Sequence, residues 1–284
     1  MLNNDKKDWD LVIKSEVGLF DLQLKKIWQY RDLLWMLIKR DFVAFYKQTI
    51  LGPIWFVIQP IFTIAVYVFL FGSIANISTG EIPMPLFYLS GIMAWTYFAE
   101  TMLKTSNVFR DNSAIFSKVY FPRLIIPLSI ISSNLIKLII HLVLLFIIIA
   151  YYNFNGGAIN FTPYMLLTPF FIIMMAVFAM GLGLIVSSVT TKYRDFALLL
   201  SFATSLLMYT SPVVYPLFRL DDQIRMIVNL NPMTTIIEGL RFCFFQNGDF
   251  TVYGLVYTII IILLTFIGGL LVFNKVEKNF IDTI

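Results

Sequence analysis

Residues 138–191 read LIIHLVLLFIIIAYYNFNGGAINFTPYMLLTPFFIIMMAVFAMGLGLIVSSVTT, fifty-four positions without one Asp, Glu, Lys or Arg. A helix needs about 20 apolar residues to cross a hydrocarbon core about 30 Å thick, and a charge at its centre costs at least about 2.5–3.5 kcal/mol. A stretch this long and this free of charge predicts membrane spans. Working outward, charges are also missing from 48–80, 82–99, 196–218 and 250–274. Spans are expected near 53–75, 86–109, 124–152, 163–189, 196–217 and 252–273. In lipid, backbone N–H and C=O groups must be satisfied within the segment, and these stretches lack the regular alternation of barrel strands. The fold class is therefore an all-α integral membrane protein with six transmembrane helices.

Composition agrees. The 284 residues are 59% hydrophobic, 17% aromatic and only 13% charged, against about 45–50% apolar and about 25% charged in soluble domains. One cysteine, Cys243, and one histidine, His141, assemble neither a disulfide framework nor a His/Cys metal cluster within one chain, so no metal site is expected. About 50 residues of mixed charge precede the first apolar run, so a cleaved signal peptide of ordinary design is not expected. The first span would serve as the insertion signal.

Lys and Arg in the short connections set the orientation. Nine lie before the first span, ending at Lys47. Lys104, Arg110, Lys118 and Arg123 sit between spans two and three, Lys192 and Arg194 between four and five, and Lys275 and Lys278 after span six. That face holds seventeen, against three (Arg219, Arg225 and Arg241) on the other. Both termini are expected in the cytoplasm. The net charge of +4 is thus a topology signal, and without a basic stripe carrying interleaved aromatics no nucleic-acid partner is expected.

The chain divides into a cytoplasmic segment, 1–50, and a transmembrane domain, 51–284. After a polar start, Ile27, Tyr30, Leu34, Leu37, Ile38, Phe42 and Phe45 recur at helical spacing, while Asp32, Lys39, Arg40 and Lys47 fall mostly elsewhere. With Trp28 and Trp35, that pattern suits an amphipathic helix lying at a membrane surface. A soluble helix is the alternative, but nothing else in this segment offers an apolar element to pack on. The 111–123 connection mixes Phe116, Tyr120 and Phe121 with Lys118 and Arg123 and closes on Pro122. It reads either as a docking segment or as an ordinary cytoplasmic turn. Ala179, Gly183 and Ser187 recur every four residues, a small-residue face for close helix packing within the chain or across a dimer. Beyond span five, Ile224–Leu230 and Met233–Phe245 flank Asn231-Pro232. These runs suit two short re-entrant helices between spans five and six, or else an outer helical hairpin.

No G-x-x-x-x-G-K-[ST] loop and no Gly-Lys pair occurs, so ATP is not cradled by this chain. Energy must come from a partner or a gradient. Ionisable residues within spans are functional candidates: Glu100 and Lys104 in span two, Lys137 and His141 in span three. Glu100 and Lys137 are expected to form an intramembrane ion pair. A proton relay is the alternative, but it lacks a second carboxylate. Aromatics crowd spans one and five, among them Trp55, Phe62, Tyr67, Phe202, Tyr209 and Tyr215. Their faces suit either sugar rings or a lipid-facing belt. A polyprenyl-linked sugar transferase would need acidic groups clustered to hold a divalent cation, whereas Asp111 and Asp195 stand singly.

Several segments in order carry a family resemblance: Leu51-Gly52-Pro53-Ile54-Trp55, Lys118-Val119-Tyr120-Phe121-Pro122-Arg123, Tyr193-Arg194-Asp195-Phe196, Ser211-Pro212-Val213-Val214-Tyr215-Pro216 and Leu230-Asn231-Pro232-Met233. Over about residues 25–280 the chain resembles the ABC-2 type permeases of polysaccharide export, most of all the O-antigen exporters of Gram-negative bacteria. The resemblance implies a non-enzymatic permease of the bacterial inner membrane, working as a homodimer with two copies of an ABC ATPase. ATP and Mg would be held by that partner, with none in this chain. The cargo would be an undecaprenyl-linked polysaccharide, or within the same family a teichoic acid, capsule or drug. It also implies a coupling helix near 112–123 with Phe116, Lys118, Tyr120 and Arg123 as ATPase contacts, and an interface helix near 27–47. Spans one and five would line the conduit with Trp55, Phe62, Tyr67, Phe202, Tyr209 and Tyr215, and the short helices after span five would form its outer gate.

Overall fold

Apolar runs that cannot leave backbone groups bare in lipid coil into helices, and a computed structural model places them along the chain for residues 24–47, 49–116, 121–156, 163–193 and 195–281. Every regular element among the described residues is helical. Two helices, α1 (Leu24–Gln29) and α2 (Arg31–Tyr46), lead into α3 (Trp55–Tyr67), which starts from a 3-10 turn at Gly52–Ile54 and runs on as a π-helix over Val68–Ile74. Gly52 has φ +56°, and a Cβ added there would meet nothing within 4 Å, so glycine is needed for the left-handed backbone and not for space. Then follow α4 (Met84–Ser106), the short α5 (Val108–Asp111) and α6 (Ser113–Phe116), α7 (Ile125–Phe154) and α8 (Thr168–Lys192). The last four are α9 (Asp195–Leu207), α10 (Asp222–Asn229), α11 (Pro232–Phe245) and α12 (Val252–Ile281).

Among the described residues, four helices are long and apolar enough to cross a bilayer: Gly52–Ile74, Ile125–Phe154, Pro163–Lys192 and Val252–Val276. Two expected spans differ from these for physical reasons. Helix α4 has 23 residues, about 34 Å of rise, but it is the enclosed helix of the bundle. It packs on α3, α7, α8 and α11, and those neighbours let it carry Glu100, Lys104 and several hydroxyls that lipid would not tolerate. Helix α9, with its 3-10 extension Met208–Thr210, stops short of the expected end at 217. Pro212 biases the preceding Ser211 away from helix, and Ser211 is extended at φ −112° and ψ 151°.

Close packing around α8 rests on glycines. A Cβ on Gly183 would lie 2.6 Å from Thr105 Cβ of α4, and one on Gly181 would lie 2.8 Å from the Phe266 backbone N of α12. Gly269 of α12 answers from the far side, where a Cβ would come 2.5 Å from Gly181 O. Ala179 and Ser187 are fully buried on the same helix, so the small-residue face is spent within the chain. Thr190 Oγ1 adds a hydrogen bond to Ser106 O at the end of α4.

The described residues form two apolar cores. The larger is built from α4, α7, α8 and α11 around Leu86, Trp95, Phe98, Phe178 and Phe244. The smaller gathers Leu37 of α2, Phe109 of α5, Phe116 of α6, Phe121, Ile125 of α7 and Phe273 of α12. It ties the α2 helix, the connection between α4 and α7 and the last helix into one end of the bundle.

Candidate functional site

Among the described residues, three places concentrate polar or aromatic chemistry. The first lies between α3, α4 and α7. On α4, Lys104 lies one turn from both Glu100 (i, i+4) and Thr101 (i, i+3), and on α7 Asn134, Lys137 and His141 share a face at i, i+3 and i, i+4. The structure brings the two faces together. Lys137 Nζ is 2.6 Å from Glu100 Oε2, and Lys104 Nζ is 3.8 Å from the same oxygen. Lys104 Nζ also donates to Asn134 Oδ1 at 3.0 Å, while Asn134 Nδ2 donates to Thr101 Oγ1 at 3.0 Å. Lys137 Nζ sits 5.7 Å from the Phe56 ring centre of α3. A narrow cleft opens here, lined by Thr96, Tyr97, Glu100, Asn134, Lys137, Leu138 and His141. Tyr97 is buried, and its hydroxyl has no hydrogen-bond partner among the described residues.

The second place was not singled out from the sequence, which put Arg241 among the charges of the outer connection. Arg241 is in fact 1% exposed. Its Nη1 donates to Glu238 Oε1 at 2.7 Å, and its Nη2 reaches Phe87 O of α4 and Val213 O, each at 3.4 Å. The guanidinium lies 3.6 Å over the Phe87 ring. Glu238 Oε2 accepts from Asp249 N at 2.9 Å, and the Asp249 carboxylate pairs with Arg225 of α10. Gly91 leaves room for this: a Cβ there would lie 3.0 Å from Val213 and 3.1 Å from Arg241 Nη2. The available signal was Glu238 and Arg241 at i, i+3 within an otherwise apolar run, a spacing that pairs charges on one helix face. Buried charges survive only when paired and hydrogen-bonded.

The third is the α2 end. Leu37 and Ile38 face inward, whereas Trp28, Trp35 and Met36 are about two-thirds exposed (70%, 66% and 68%). Phe42 of α2 stacks on Phe56 of α3 at 5.6 Å. Of the expected partner contacts, Lys118 and Tyr120 lie outside the described residues. Phe116 is turned into the smaller core, 5.8 Å from Phe109 and 5.9 Å from Phe121, with the Arg123 guanidinium 5.2 Å over its ring. Phe109 in turn stacks on Phe273 at 4.8 Å. Of the expected conduit residues, Trp55, Phe62, Phe202 and Tyr209 are exposed. Tyr67 and Tyr215 are half-buried against the larger core, and Tyr67 meets Tyr88 edge-on at 5.9 Å.

With every regular element among the described residues helical, and four apolar helices there long enough to cross a bilayer, the chain is a multi-pass membrane protein. It belongs to the ABC-2 type transporter family, which matches residues 32–245. It is similar to the O-antigen export system permease protein RfbA of Myxococcus xanthus, 26% identical over 229 residues that cover 79% of this chain and 84% of the relative. Two proteins of the same name from Klebsiella pneumoniae are 27% and 26% identical over 254 residues, covering 88% of this chain and 94% of each relative.

Proposed function

We propose that this chain is the membrane-spanning subunit of an ATP-driven exporter that moves a lipid-linked polysaccharide of the O-antigen type outward across a bacterial inner membrane. The observation that carries the reading is the family match running from α2 through α11, joined to export permeases that align with most of the chain. In this reading α4 and α9 complete six spans, enclosed or capped by protein where they are too polar or too short to face lipid alone. Seventeen Lys/Arg against three support a cytoplasmic position for the α2 end. Helices α10 and α11 form the outer gate as short re-entrant elements, α11 being almost wholly buried.

Because the sequence carries no phosphate loop, ATP and Mg are assigned to two copies of a partner ATPase bound to a homodimer of this chain. The 112–123 segment is the coupling element, with Arg123 beside Phe116 as its described contact. Phe116 anchors it in a core shared with α2 and α12, so a push there reaches two helices at once. The exposed aromatic faces of α3 and α9, with Trp55, Phe62, Phe202 and Tyr209, line the conduit in the dimer, where sugar rings pack on aromatic faces.

The test is to purify the tagged full chain from its own membranes. A co-purifying ATPase, and deletion strains that accumulate lipid-linked glycan on the cytoplasmic side, are expected. Arg123→Glu should uncouple ATP hydrolysis from export while the complex still assembles. If no ATPase is recovered, and export continues in vesicles depleted of ATP, the reading fails.

A further inference from the structure

The short helix α10 is fastened to the rest of the protein unevenly along its length. Its last turn is pinned. Val228 is buried there, Thr234 Oγ1 donates to Val228 O at 2.7 Å, and Tyr257 OH of α12 donates to Leu230 O at 3.2 Å. Just beyond, Asn231 Nδ2 donates to Ser211 Oγ at 2.9 Å. The rest of the helix is loose. Residues 222–227 include none that is buried, with Ile224, Met226 and Ile227 exposed, and the helix starts from Asp221 without a side-chain cap. That part is tied down by the ion pair of Arg225 with Asp249, whose side chains are 35% and 36% exposed.

Asp249, in contrast, is firmly set. Gln246 ends α11 in the left-handed conformation at φ 54°. Gly248 then folds the chain back so closely that a Cβ there would overlap Glu238 O and lie 2.8 Å from Phe242 Cβ. This brings the Asp249 N–H to Glu238 Oε2, while Glu238 Oε1 holds Arg241, itself on Phe87 O of α4 and Val213 O. A fixed catch bolted to the sealed pair thus meets a loosely held helix. Segments with little buried apolar surface open at low free energy, and a partly exposed ion pair adds only a modest hold.

Arg225 also has other carboxylates within reach. Asp221 and Asp222 precede it by four and three residues, the spacings at which side chains meet on a helix face, with the acid on the favourable N-terminal side. Passing to either keeps the guanidinium paired, and the Asp249 carboxylate left behind is open to water. We propose that α10 is a lid that pivots on its pinned end at Asn231, latched by Arg225 on Asp249 and released when Arg225 passes to Asp221 or Asp222. The latch rests on the reading of α10 as part of the outer gate and names what holds that gate shut.

The experiment is amide hydrogen exchange of the full chain in the assembly in which it purifies, which reads lid opening whatever the cargo. Asp249→Asn should speed exchange over 222–229 about threefold, the scale of a partly exposed pair, and leave 232–245 unchanged. Arg225→Gln should have a smaller effect, because it removes the partner of the open lid as well as that of the closed one. In an Asp221→Asn/Asp222→Asn background the open lid has no such partner, and Arg225→Gln should then match Asp249→Asn. An unchanged rate in Asp249→Asn, an equal effect of Arg225→Gln in both backgrounds, or faster exchange throughout α11 overturns the latch. A second arm joins Arg225→Cys and Asp249→Cys with a reducible bifunctional reagent, native Cys243 being buried. Export of lipid-linked polysaccharide from vesicles should stop and return on reduction. Export through the locked lid would sink the gate reading and leave the exchange result standing.

Discussion

The two interior charge groups of this protein follow opposite designs. At the α11 end, Arg241 and Glu238 are 1% and 6% exposed at the side chain, matched one to one, and wrapped by backbone groups of α4, the 211–216 turns and Asp249. At the α2 end, Glu100 serves two lysines, is 35% exposed at the side chain, and borders a cleft. A sealed, neutral pair fixes helices to one another, because breaking it strands a charge that water cannot reach. A partly open group, whose charges water reaches, holds its helices less tightly.

The sharpest break of this comparison is Arg241→Met, which leaves Glu238 buried without its cation. A loss of about 3–5 kcal/mol is expected, read as a collapse of the folded fraction in detergent denaturation. Adding Glu238→Leu should restore much of that loss, since replacing both partners with apolar groups removes the stranded charge. If the double variant is no better than the single, the pair is not the self-contained staple described.

Next in size is Gly181→Ala, which probes the apolar packing that both charge groups rely on. Its Cβ would come 2.8 Å from Phe266 N, and backbone at that distance cannot turn aside as a flexible side chain would. About 1–3 kcal/mol of destabilisation is expected, within the range of core overpacking. Gly268→Ala serves as the control, as its Cβ would meet only Ile185 Cδ1 at 4.0 Å, and the midpoint of thermal unfolding should barely move.

Lys137→Gln should cost less, about 1 kcal/mol in the same denaturation assay, because partly exposed pairs are worth little. Glu100 keeps Lys104 at 3.8 Å and part of its hydration. A loss as large as that from Arg241→Met would show the two groups to be equivalent and remove the contrast.

How much of this was legible in the sequence follows from what each feature depends on. Spans Gly52–Ile74, Ile125–Phe154 and Pro163–Lys192 could be read because lipid acts on every residue in them alike, leaving long apolar runs. Helix ends marked by local chemistry were legible too, as at Asn231, whose side chain accepts from Met233 N ahead of Pro232. The early end of α9 was not, since its apolar run continues past Ser211 and only the two prolines argue against a helix there. Glu100 and Lys137 could be placed together because each faces inward from a span and charges there need partners. Arg241 could not, for its acceptors include Phe87 and Val213, far away in sequence. Tyr97 carries no signal at all, as one tyrosine among 14, until its neighbours are folded around it.

The smallest effect is expected at a feature that the two regions share. Tyr88, close to the sealed pair on α4, and Tyr97, on the cleft, are both buried with hydroxyls that lack partners among the described residues. Removing an unsatisfied hydroxyl while keeping the ring relieves a desolvation cost at little loss of packing, so Tyr88→Phe and Tyr97→Phe should each leave stability unchanged or raise it by up to about 1 kcal/mol. A loss of more than about 1 kcal/mol in thermal unfolding from either substitution would show that its hydroxyl is satisfied after all, and would overturn the reading of that region's interior.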